Sequence, residues 1–290
     1  MLNFQRKLTI WSKHLKVTTQ AKITGIFGYP IGHTLSPYMH NAAYSALGLN
    51  YTYLPFEVAP TALRDAIKSI KELNICAINI TVPHKEMAMK FVDKIDQTAK
   101  KIGSINTIVN KNGTLYGYNT DAPGFIEDLK VNGFTPKDKT ALLLGAGGVG
   151  KAIAAALELN GIKRIYLFEI DANKASSLVK KVKSCKTITQ NDFKKIKKEL
   201  NLCVNATPIG MHKGDPSVLP KDMFTKNCFY YDVIYNRETE FIKLAKAAKA
   251  AASGGLGMLL MQGVKGFELW TGKKAPVEVM RKALIGAMKK

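Results

Sequence analysis

Apolar residues recur along the chain in short runs, and the stretches between the runs have the spacing of amphipathic helices. In the first half this pattern predicts strands at residues 23–28, 51–58 and 75–81, a helix at 61–73, and a hairpin formed by 105–110 and 114–118. A further helix starts near Asp121 and is ended by Gly133. Strands that alternate with helices are typical of an α/β fold.

The second half repeats the alternation with short, apolar strands at residues 141–144, 164–169, 201–205 and 229–233. Strands that are apolar on both sides are expected in a parallel sheet covered by helices on both faces. An amphipathic helix at 239–252 and a helix at 256–270 that is apolar nearly all round follow. The latter carries Gln262, and we expect this polar group on a buried helix to face a cleft.

Six residues between the strand at 141–144 and the next helix form a glycine-rich loop, Gly145-Ala146-Gly147-Gly148-Val149-Gly150. Gly145 allows a tight turn, Gly147 lets a pyrophosphate approach the backbone, and Gly150 lets the helix pack closely on the strand. The N–H groups at the helix N-terminus then face the phosphates. The loop therefore predicts a dinucleotide site, and a strand-to-helix turn without a ligand is the alternative.

Composition and charge narrow the function classes. The 290 residues are 46% hydrophobic and contain no apolar run near the ~20 residues of a membrane span, so we expect a soluble protein without a membrane partner. The net charge is +21, but the lysines are scattered, which favours a solvated surface or steering of anionic ligands over nucleic-acid binding. Four widely spaced cysteines favour the reducing cytoplasm and predict neither disulfides nor a metal site.

Three side chains near predicted helix starts are candidates for chemistry. Ser36 precedes Pro37 and is expected to cap a helix, a structural role that would by itself explain the serine. Thr34 and Ser36 at a helix N-terminus also make a place to hold a carboxylate. Pro83 predicts another helix start, which would place Lys85 in its first turn, where a cation opposes the helix dipole.

Seven short motifs occur in the order found in one family. They are G-x-P-I-x-H-T-x-S-P-x-x-H-N at 28–41, N-x-T-V-P-x-K at 79–85, I-N-T at 105–107, N-T-D at 119–121, GAGG at 145–148, N-A-T-P-x-G-M at 205–211 and M-Q at 261–262. Over residues 23–290 the chain resembles the shikimate dehydrogenases, including the related quinate/shikimate enzymes. The resemblance implies reversible, nicotinamide-dependent reduction of 3-dehydroshikimate to shikimate, in the pathway to chorismate and the aromatic amino acids.

The resemblance also implies a two-domain α/β architecture with the active-site cleft between the domains. Residues 22–121 and 257–290 would form the substrate-binding domain and 122–256 a Rossmann-type nucleotide-binding domain, while 1–21 are an N-terminal extension without an assigned role. A homodimer is compatible with this architecture. A non-catalytic regulator derived from the family, a quinate-preferring enzyme and a basic nucleic-acid binder are the competing hypotheses.

The site residues follow from the same resemblance. Lys85 and Asp121 are the expected catalytic pair, which also contacts substrate, and a lysine held by an aspartate can both give and take a proton. The other expected substrate-binding residues are Thr34, Ser36, Asn79, Thr81, Asn106, Tyr235 and Gln262. The expected cofactor-binding residues are the loop Gly145–Gly150 together with Glu169, Lys174, Asn205, Ala206, Thr207, Val233 and Gly255.

The coenzyme is NADP or NAD, and one stretch departs from the family pattern. Most members carry Asn-Arg-Thr after the second strand of the nucleotide unit, with cations that hold the 2′-phosphate of NADP. Here Glu169-Ile170-Asp171 stands in its place, and Lys174 remains where a further arginine is usual. An acidic residue 19 positions after Gly150 typically bonds the ribose of NAD. The stretch therefore favours NAD. Thr34, where serine is usual, bears on the preference for shikimate or quinate.

Overall fold

The computed structural model describes residues 18–288, and most of the predicted N-terminal extension, up to residue 17, lies outside the described residues. In the described range the strands β1 to β12 are Lys22–Gly28, Tyr51–Glu57, Ala77–Ile80, Lys94–Ile95, Thr107–Lys111, Thr114–Tyr118, Thr140–Leu144, Arg164–Phe168, Cys185–Thr187, Leu202–Asn205, Phe229–Asp232 and Ala252–Ser253. The helices α1 to α10 are Ser36–Ala46, Leu63–Glu72, Gln97–Ile102, Asp121–Val131, Gly148–Leu159, Ala172–Lys181, Phe193–Ile196, Glu240–Ala247, Leu256–Thr271 and Val277–Met288. Short 3-10 helices are Pro60–Ala62, Met87–Phe91, Gln190–Asp192, Lys197–Glu199 and Lys221–Met223.

These elements form two compact units. The first consists of the chain up to Asp96, Ile105–Tyr118 and the chain from Gly263 on, and the second of Gln97–Ser104 and Asn119–Gln262. Each unit is built on a six-stranded sheet, so the predicted α/β class is confirmed. Helix α9 begins in the second unit and ends in the first.

The sheet of the first unit is mixed, with the strand order β2-β1-β3-β5-β6-β4. Strand β1 pairs in parallel with β2 and β3, whereas β3–β5 and β5–β6 are antiparallel. The predicted hairpin is confirmed, and its turn has positive φ at Asn112 (54°) and Gly113 (83°). Two consecutive positive φ values give the turn a twist that matches the strands, and Asn-Gly adopts them at little cost. Helix α1 packs on β2 and on α10.

The sheet of the second unit is parallel throughout, with the order β12-β11-β10-β7-β8-β9. Numbered from β7, this is the doubly wound order of dinucleotide-binding domains. Alternate residues of β7 enter two cores, with Ala141 and Leu143 on one face and Leu142 and Leu144 on the other. All four are fully buried, which is why the strand is apolar without alternation.

One predicted helix start is confirmed without the predicted cap, and the other is wrong. Helix α1 does begin at Ser36, but Leu35 is the N-cap and no side chain caps the helix. Leu35 already has α-region backbone angles, so Ser36 lies past the capping position, and its hydroxyl is available for another partner. The Thr34 hydroxyl accepts from the Ser36 N–H group at 3.4 Å.

No α-helix follows Pro83, because the backbone around it bonds elsewhere. The His84 N–H group donates to the Thr81 carbonyl at 2.9 Å, and the Lys85 carbonyl accepts from Ile105 at 2.9 Å. A His84 ring nitrogen lies 2.7 Å from the Val58 carbonyl oxygen. A 3-10 helix begins only at Met87, so Lys85 lies in a turn and opposes no helix dipole.

Other differences are small. The predicted helix at 239–252 ends at Ala247, and Ala252–Ser253 forms an edge strand. The pattern missed helix Gln97–Ile102 and the strands Lys94–Ile95 and Cys185–Thr187. These elements have at most six residues, too few to display a period of apolar positions.

An aromatic cluster in the first unit encloses His40. The imidazole stacks on Tyr53 with ring centroids 4.5 Å apart and lies 5.0 Å from Trp270. It is fully buried, and neither ring nitrogen has a hydrogen-bond partner among residues 18–288. Burial disfavours the charged imidazolium and lowers the pKa of His40 to about 3.

This histidine should make folding stability sensitive to acid. Its pKa in the folded protein is about 3, against 6.5 as its ordinary value, so between these pH values the unfolded chain takes up a proton that the folded chain does not. Stability is therefore full above pH 6.5 and falls by about 1.4 kcal/mol per pH unit below it. Chemical denaturation at pH 7.5 and pH 5.0 measures how much free energy of unfolding is lost on acidification. This loss should be smaller in His40→Phe than in the wild type by about 2 kcal/mol. Substituting the exposed His33 by Gln is the control and should leave the wild-type loss unchanged. Equal losses in all three proteins would contradict the prediction.

Candidate active site

The glycine loop lies between β7 and α5 and is tightly packed at two of its glycines. Gly145 has a φ of 98°, a conformation that favours glycine. A Cβ atom on Gly150 would overlap the Gly145 carbonyl oxygen, so only glycine lets the helix begin so close to the strand. Gly147 is the N-cap of α5, and a Cβ atom there would meet no described atom within 4 Å. The space at Gly147 and the unbonded N–H groups at the start of α5 fit a dinucleotide pyrophosphate.

Two further loops lie at the same edge of the sheet, after β10 and β11. Asn205 ends β10, and its Oδ1 accepts from the N–H group and the hydroxyl of Thr207 at 3.0 and 2.7 Å. Its Nδ2 donates to Asp232 at 3.1 Å and to the Ile209 carbonyl at 3.1 Å. All hydrogen-bonding atoms of this buried amide are thereby used. The loop that contains Ala206 and Thr207 is therefore fixed.

Asp232, at the end of β11, is a residue that the sequence analysis missed. It is fully buried and accepts hydrogen bonds from Asn205, from the Ile234 N–H group at 3.1 Å and from the Thr239 hydroxyl at 2.6 Å. Burial raises the pKa of Asp232, and these three donors oppose that effect. An acidic residue at the carboxyl end of a parallel strand was the signal that could have identified it.

The expected cofactor residues Val233 and Gly255 are in contact. A Cβ atom on Gly255 would overlap the Val233 carbonyl oxygen, and the Gly255 N–H group donates to Ile234 at 3.0 Å. The glycine loop likewise lies close to the loop after β10: a Cβ atom on Gly145 would lie 3.0 Å from the Ala206 carbonyl oxygen. The structure thus gathers the loops after β7, β10 and β11 at one edge. Tyr235 is half-buried, and burial raises the pKa of its hydroxyl.

Glu169 follows directly after β8, and its carboxylate contacts the glycine loop. One carboxylate oxygen accepts from the Ala146 N–H group at 2.6 Å and the other from Asp171 at 2.9 Å. Asp171 caps α6 through the N–H groups of Asn173 and Lys174, and hydrogen bonds from these groups, that of Lys174 foremost, lower the pKa of Asp171. The Lys174 ammonium lies 3.7 Å from the Asp171 carboxylate, and Ile170 is 91% exposed.

In the second unit, Asp121 and Gln262 lie on helices whose backbones are in contact. Asp121 is the first residue of α4 and is buried. A Cβ atom on Gly124, one turn later, would lie 2.6 Å from the Gln262 backbone nitrogen. Farther along, a Cβ atom on Gly257 would overlap the Asp128 carboxylate, which also accepts from the Tyr231 hydroxyl at 2.5 Å. Sequence analysis did not identify these two glycine contacts, which fix α4 against α9.

In the first unit, the predicted substrate residues lie at the carboxyl end of β3, at the start of α1 and in loops. Asn79 and Asn106 are almost fully buried, and Ser36 is 5% exposed. The Asn79 amide donates to the Asn106 carbonyl at 3.2 Å and to the Thr107 hydroxyl at 3.0 Å, and accepts from Tyr53 at 2.6 Å. Thr34, Thr81 and Lys85 are half-buried in loops of the same unit. Of the expected catalytic pair, Lys85 belongs to the first unit and Asp121 to the second.

Residues 18–288 lack two features that would point to other functions. No group of three or more histidine, cysteine, aspartate or glutamate side chains there could hold a metal ion. No helix in that range is long and apolar enough to cross a membrane.

A doubly wound parallel sheet with a glycine loop before its first helix defines the class of dinucleotide-binding proteins. Known proteins specify the family. A family model described as the shikimate dehydrogenase substrate binding domain matches residues 26–108, and one described as the shikimate 5′-dehydrogenase C-terminal domain matches 255–285. The chain is 43% identical to the NADP(+) shikimate dehydrogenase of Desulforamulus reducens, across 93% of this chain and 97% of the relative.

Solved structures agree. Shikimate dehydrogenase from Aquifex aeolicus is 35% identical, with a TM-score of 0.88 over 92% of this chain and 99% of that one. Shikimate 5-dehydrogenase from Listeria monocytogenes, in complex with shikimate and NAD, is 32% identical, with a TM-score of 0.87 over 93% and 98%. The chain belongs to the shikimate dehydrogenase family, whose members are oxidoreductases acting on a CH–OH group.

The two glycines of the loop should respond differently to alanine. Gly147→Ala adds a methyl group where no described atom is near, at a φ of −68° that alanine adopts. The free energy of unfolding should therefore change by less than about 0.5 kcal/mol, as for an ordinary surface substitution. Dinucleotide binding should weaken about tenfold or more, because the methyl group occupies the space for the pyrophosphate. Gly150→Ala overlaps the Gly145 carbonyl and should lose stability as well as binding. Thermal denaturation and coenzyme titration by calorimetry measure the two effects. Unchanged coenzyme affinity in Gly147→Ala would contradict the pyrophosphate assignment.

Proposed function

We propose that the protein is a shikimate dehydrogenase that reversibly reduces 3-dehydroshikimate to shikimate with a nicotinamide coenzyme. The observation that carries this proposal is the intact pair of Lys85 and Asp121 in a chain of this family. The substrate residues expected around the pair support it, because they are mostly hydroxyl and amide groups suited to a polyhydroxylated ring.

In this proposal the pair moves the proton. The coenzyme, when bound, supplies or accepts the hydride. The Lys85 ammonium gives a proton to the oxygen of the developing alkoxide, and in the reverse direction the neutral amine takes it back. Asp121 is the acidic member of the pair that the family resemblance implies. Its position in the first turn of α4 is favourable for a negative charge, since the N-terminus of a helix carries positive partial charge.

Substrate recognition divides between a carboxylate and hydroxyl groups. Thr34, Ser36 and Tyr235 hold the carboxylate. Asn79, Thr81, Asn106 and Gln262 bond the ring hydroxyls. A site built from such groups discriminates strongly, because an analogue that lacks a hydroxyl leaves buried partners unpaired. The methyl group of Thr34 narrows the pocket relative to serine, so this position bears on the preference between shikimate and quinate.

NAD is the coenzyme that the residues after β8 favour, although the Desulforamulus relative is named an NADP(+) enzyme. Both Glu169 oxygens are held by backbone N–H groups, so the carboxylate has a fixed place beside the loop. A fixed negative charge attracts ribose hydroxyls and repels a 2′-phosphate. The Lys174 ammonium already lies beside the Asp171 carboxylate, so its attraction for a 2′-phosphate is weaker.

Quinate dehydrogenation is the second candidate within the family, and a non-catalytic ligand-binding regulator is the candidate from another class. Crossing shikimate and quinate with NAD and NADP in a coenzyme absorbance assay separates all three. We expect no nucleic-acid partner, a cytoplasmic location and a homodimer. The four cysteines, all free thiols, support the reducing compartment, and sedimentation would measure the oligomeric state.

Removing the proposed acid–base group should suppress turnover. Lys85→Ala should lower kcat for shikimate by roughly 10²- to 10⁴-fold with a smaller effect on KM, the usual range for such a group. Asp121→Asn should lower kcat too and also weaken shikimate binding. The exposed Lys90→Ala, from the neighbouring 3-10 helix, is the control and should behave as wild type. If Lys85→Ala kept the kcat of the wild type, Lys85 would have a role in binding only, and the acid–base assignment would be wrong.

Coenzyme preference should depend on the end of β8. The wild type should have the higher kcat/KM with NAD, and Glu169→Asn combined with Ile170→Arg should shift the ratio towards NADP. Arginine at position 170 costs little packing, since Ile170 is almost fully exposed. Glu169→Gln, which retains an acceptor oxygen but removes the charge, should give an intermediate ratio. A wild-type preference for NADP would refute this assignment of Glu169.

A further inference from the structure

Two buried hydroxyl groups connect two of the expected substrate residues in the first unit. They belong to Tyr53 on β2, 1% exposed, and Thr107 on β5, fully buried. The Tyr53 hydroxyl bonds the side chain of Asn79, and the Thr107 hydroxyl bonds the side chains of Asn79 and Asn106. We call Tyr53, Asn79, Thr107 and Asn106 the hydroxyl relay.

The orientation of Asn79 follows from one partner that can only accept. The Asn106 backbone carbonyl lies 3.2 Å from one side-chain atom of Asn79, so that atom must be the amide nitrogen Nδ2. The second Nδ2 proton goes to the Thr107 hydroxyl oxygen at 3.0 Å. Both amide protons of Asn79 are therefore used inside the protein.

The oxygen of Asn79 then fixes the direction of the relay on the Tyr53 side. Oδ1 can only accept, so the Tyr53 hydroxyl donates to it at 2.6 Å. The single phenol proton of Tyr53 is used in this bond. Burial, foremost, raises the pKa of Tyr53 well above its usual value, so the phenol keeps its proton.

Thr107 continues the relay in the same direction. Its oxygen accepts from Asn79, so its own proton is available for Asn106 Oδ1, 3.2 Å away. Asn79 can then meet a ligand only through the remaining lone pair of Oδ1, as an acceptor for a hydroxyl proton.

We propose that Tyr53 and Thr107 are positioning residues that hold Asn79 as an acceptor for one substrate hydroxyl and hold Asn106 by its oxygen. This proposal rests on the proposed function. Neither residue need touch the substrate, and both act through the two asparagines. Without either hydroxyl, Asn79 loses a buried partner and can turn its amide, so binding of the ring hydroxyls weakens.

The chain contains a matched control for both residues. Tyr44, 1% exposed, bonds the Thr24 hydroxyl and the Trp270 indole nitrogen, each at 2.9 Å. Thr24 is fully buried and also bonds the Thr52 carbonyl at 3.2 Å. This second tyrosine–threonine pair lies in the same unit and makes no hydrogen bond to an expected substrate residue in the described range.

The experiment compares Tyr53→Phe and Thr107→Val with Tyr44→Phe and Thr24→Val. All four should lower the melting temperature, because each removes a buried hydrogen-bonding group. The relay variants should raise the KM for shikimate about tenfold, a value equivalent to about 1.4 kcal/mol, and leave the coenzyme KM within about twofold. The control variants should leave both KM values within about twofold. Thr107→Ser, which keeps the hydroxyl, should restore the shikimate KM.

The outcomes separate the two proposals. If the wild type oxidises shikimate and the relay variants raise its KM no more than the control variants do, Tyr53 and Thr107 have a structural role only. Failure of Thr107→Ser to restore the KM would overturn the relay as well, because the hydroxyl would then not be the cause. A wild type that turns over neither shikimate nor quinate would overturn the proposed function, and the relay with it. Thr107→Val and its serine control keep the test decisive if Tyr53→Phe does not fold.

Discussion

A side-chain amide buried at the end of a strand is tolerated only when each of its donors and acceptors has a partner, since an unsatisfied group costs about 1–3 kcal/mol. Each sheet contains such an amide, Asn79 on β3 in the first unit and Asn205 on β10 in the second. Asn79 joins Tyr53, Thr107 and the Asn106 carbonyl, whereas Asn205 joins Thr207, Asp232 and the Ile209 carbonyl. Each amide thereby fixes neighbouring strands or the loop that follows its own strand. The candidate binding groups depend on these loops and strand ends.

Close backbone approach is the second condition for the site. Because Gly150 has no side chain, the start of α5 can lie against the Gly145 carbonyl. In the same way, Gly255 can lie against the Val233 carbonyl. Gly124 does the same for α4 and α9, which carry Asp121 and Gln262. A side chain at any of these positions would force the backbones apart by a distance comparable with the tolerance of a catalytic site. These glycines therefore position functional groups as well as permit packing.

Charge adds a third level of organisation around the glycine loop. Glu169 is held by backbone N–H groups, and Asp171 both caps α6 and faces Lys174. The acidic groups are thus fixed, while the ion pairs found among the described residues are largely exposed and contribute little each. A net charge of +21 produces a field over the whole surface that does not depend on any single pair.

The sequence by itself determined what depends on neighbours along the chain. The apolar strand 140–144, the Asn112-Gly113 turn and the glycine loop could be predicted because backbone conformation and burial are encoded within a few residues. The order of motifs likewise identified the family and the candidate residues. The tertiary structure alone decided that Leu35 instead of Ser36 occupies the N-cap position of α1, and that Lys85 lies in a turn. It also revealed Tyr53, Thr107 and Asp232, because their partners are distant: Tyr53 and Asn79 are 26 residues apart, and Asn205 and Asp232 are 27 apart. Such partners meet only when strands pair, and no local pattern records which hydroxyl or carboxylate will satisfy a buried amide.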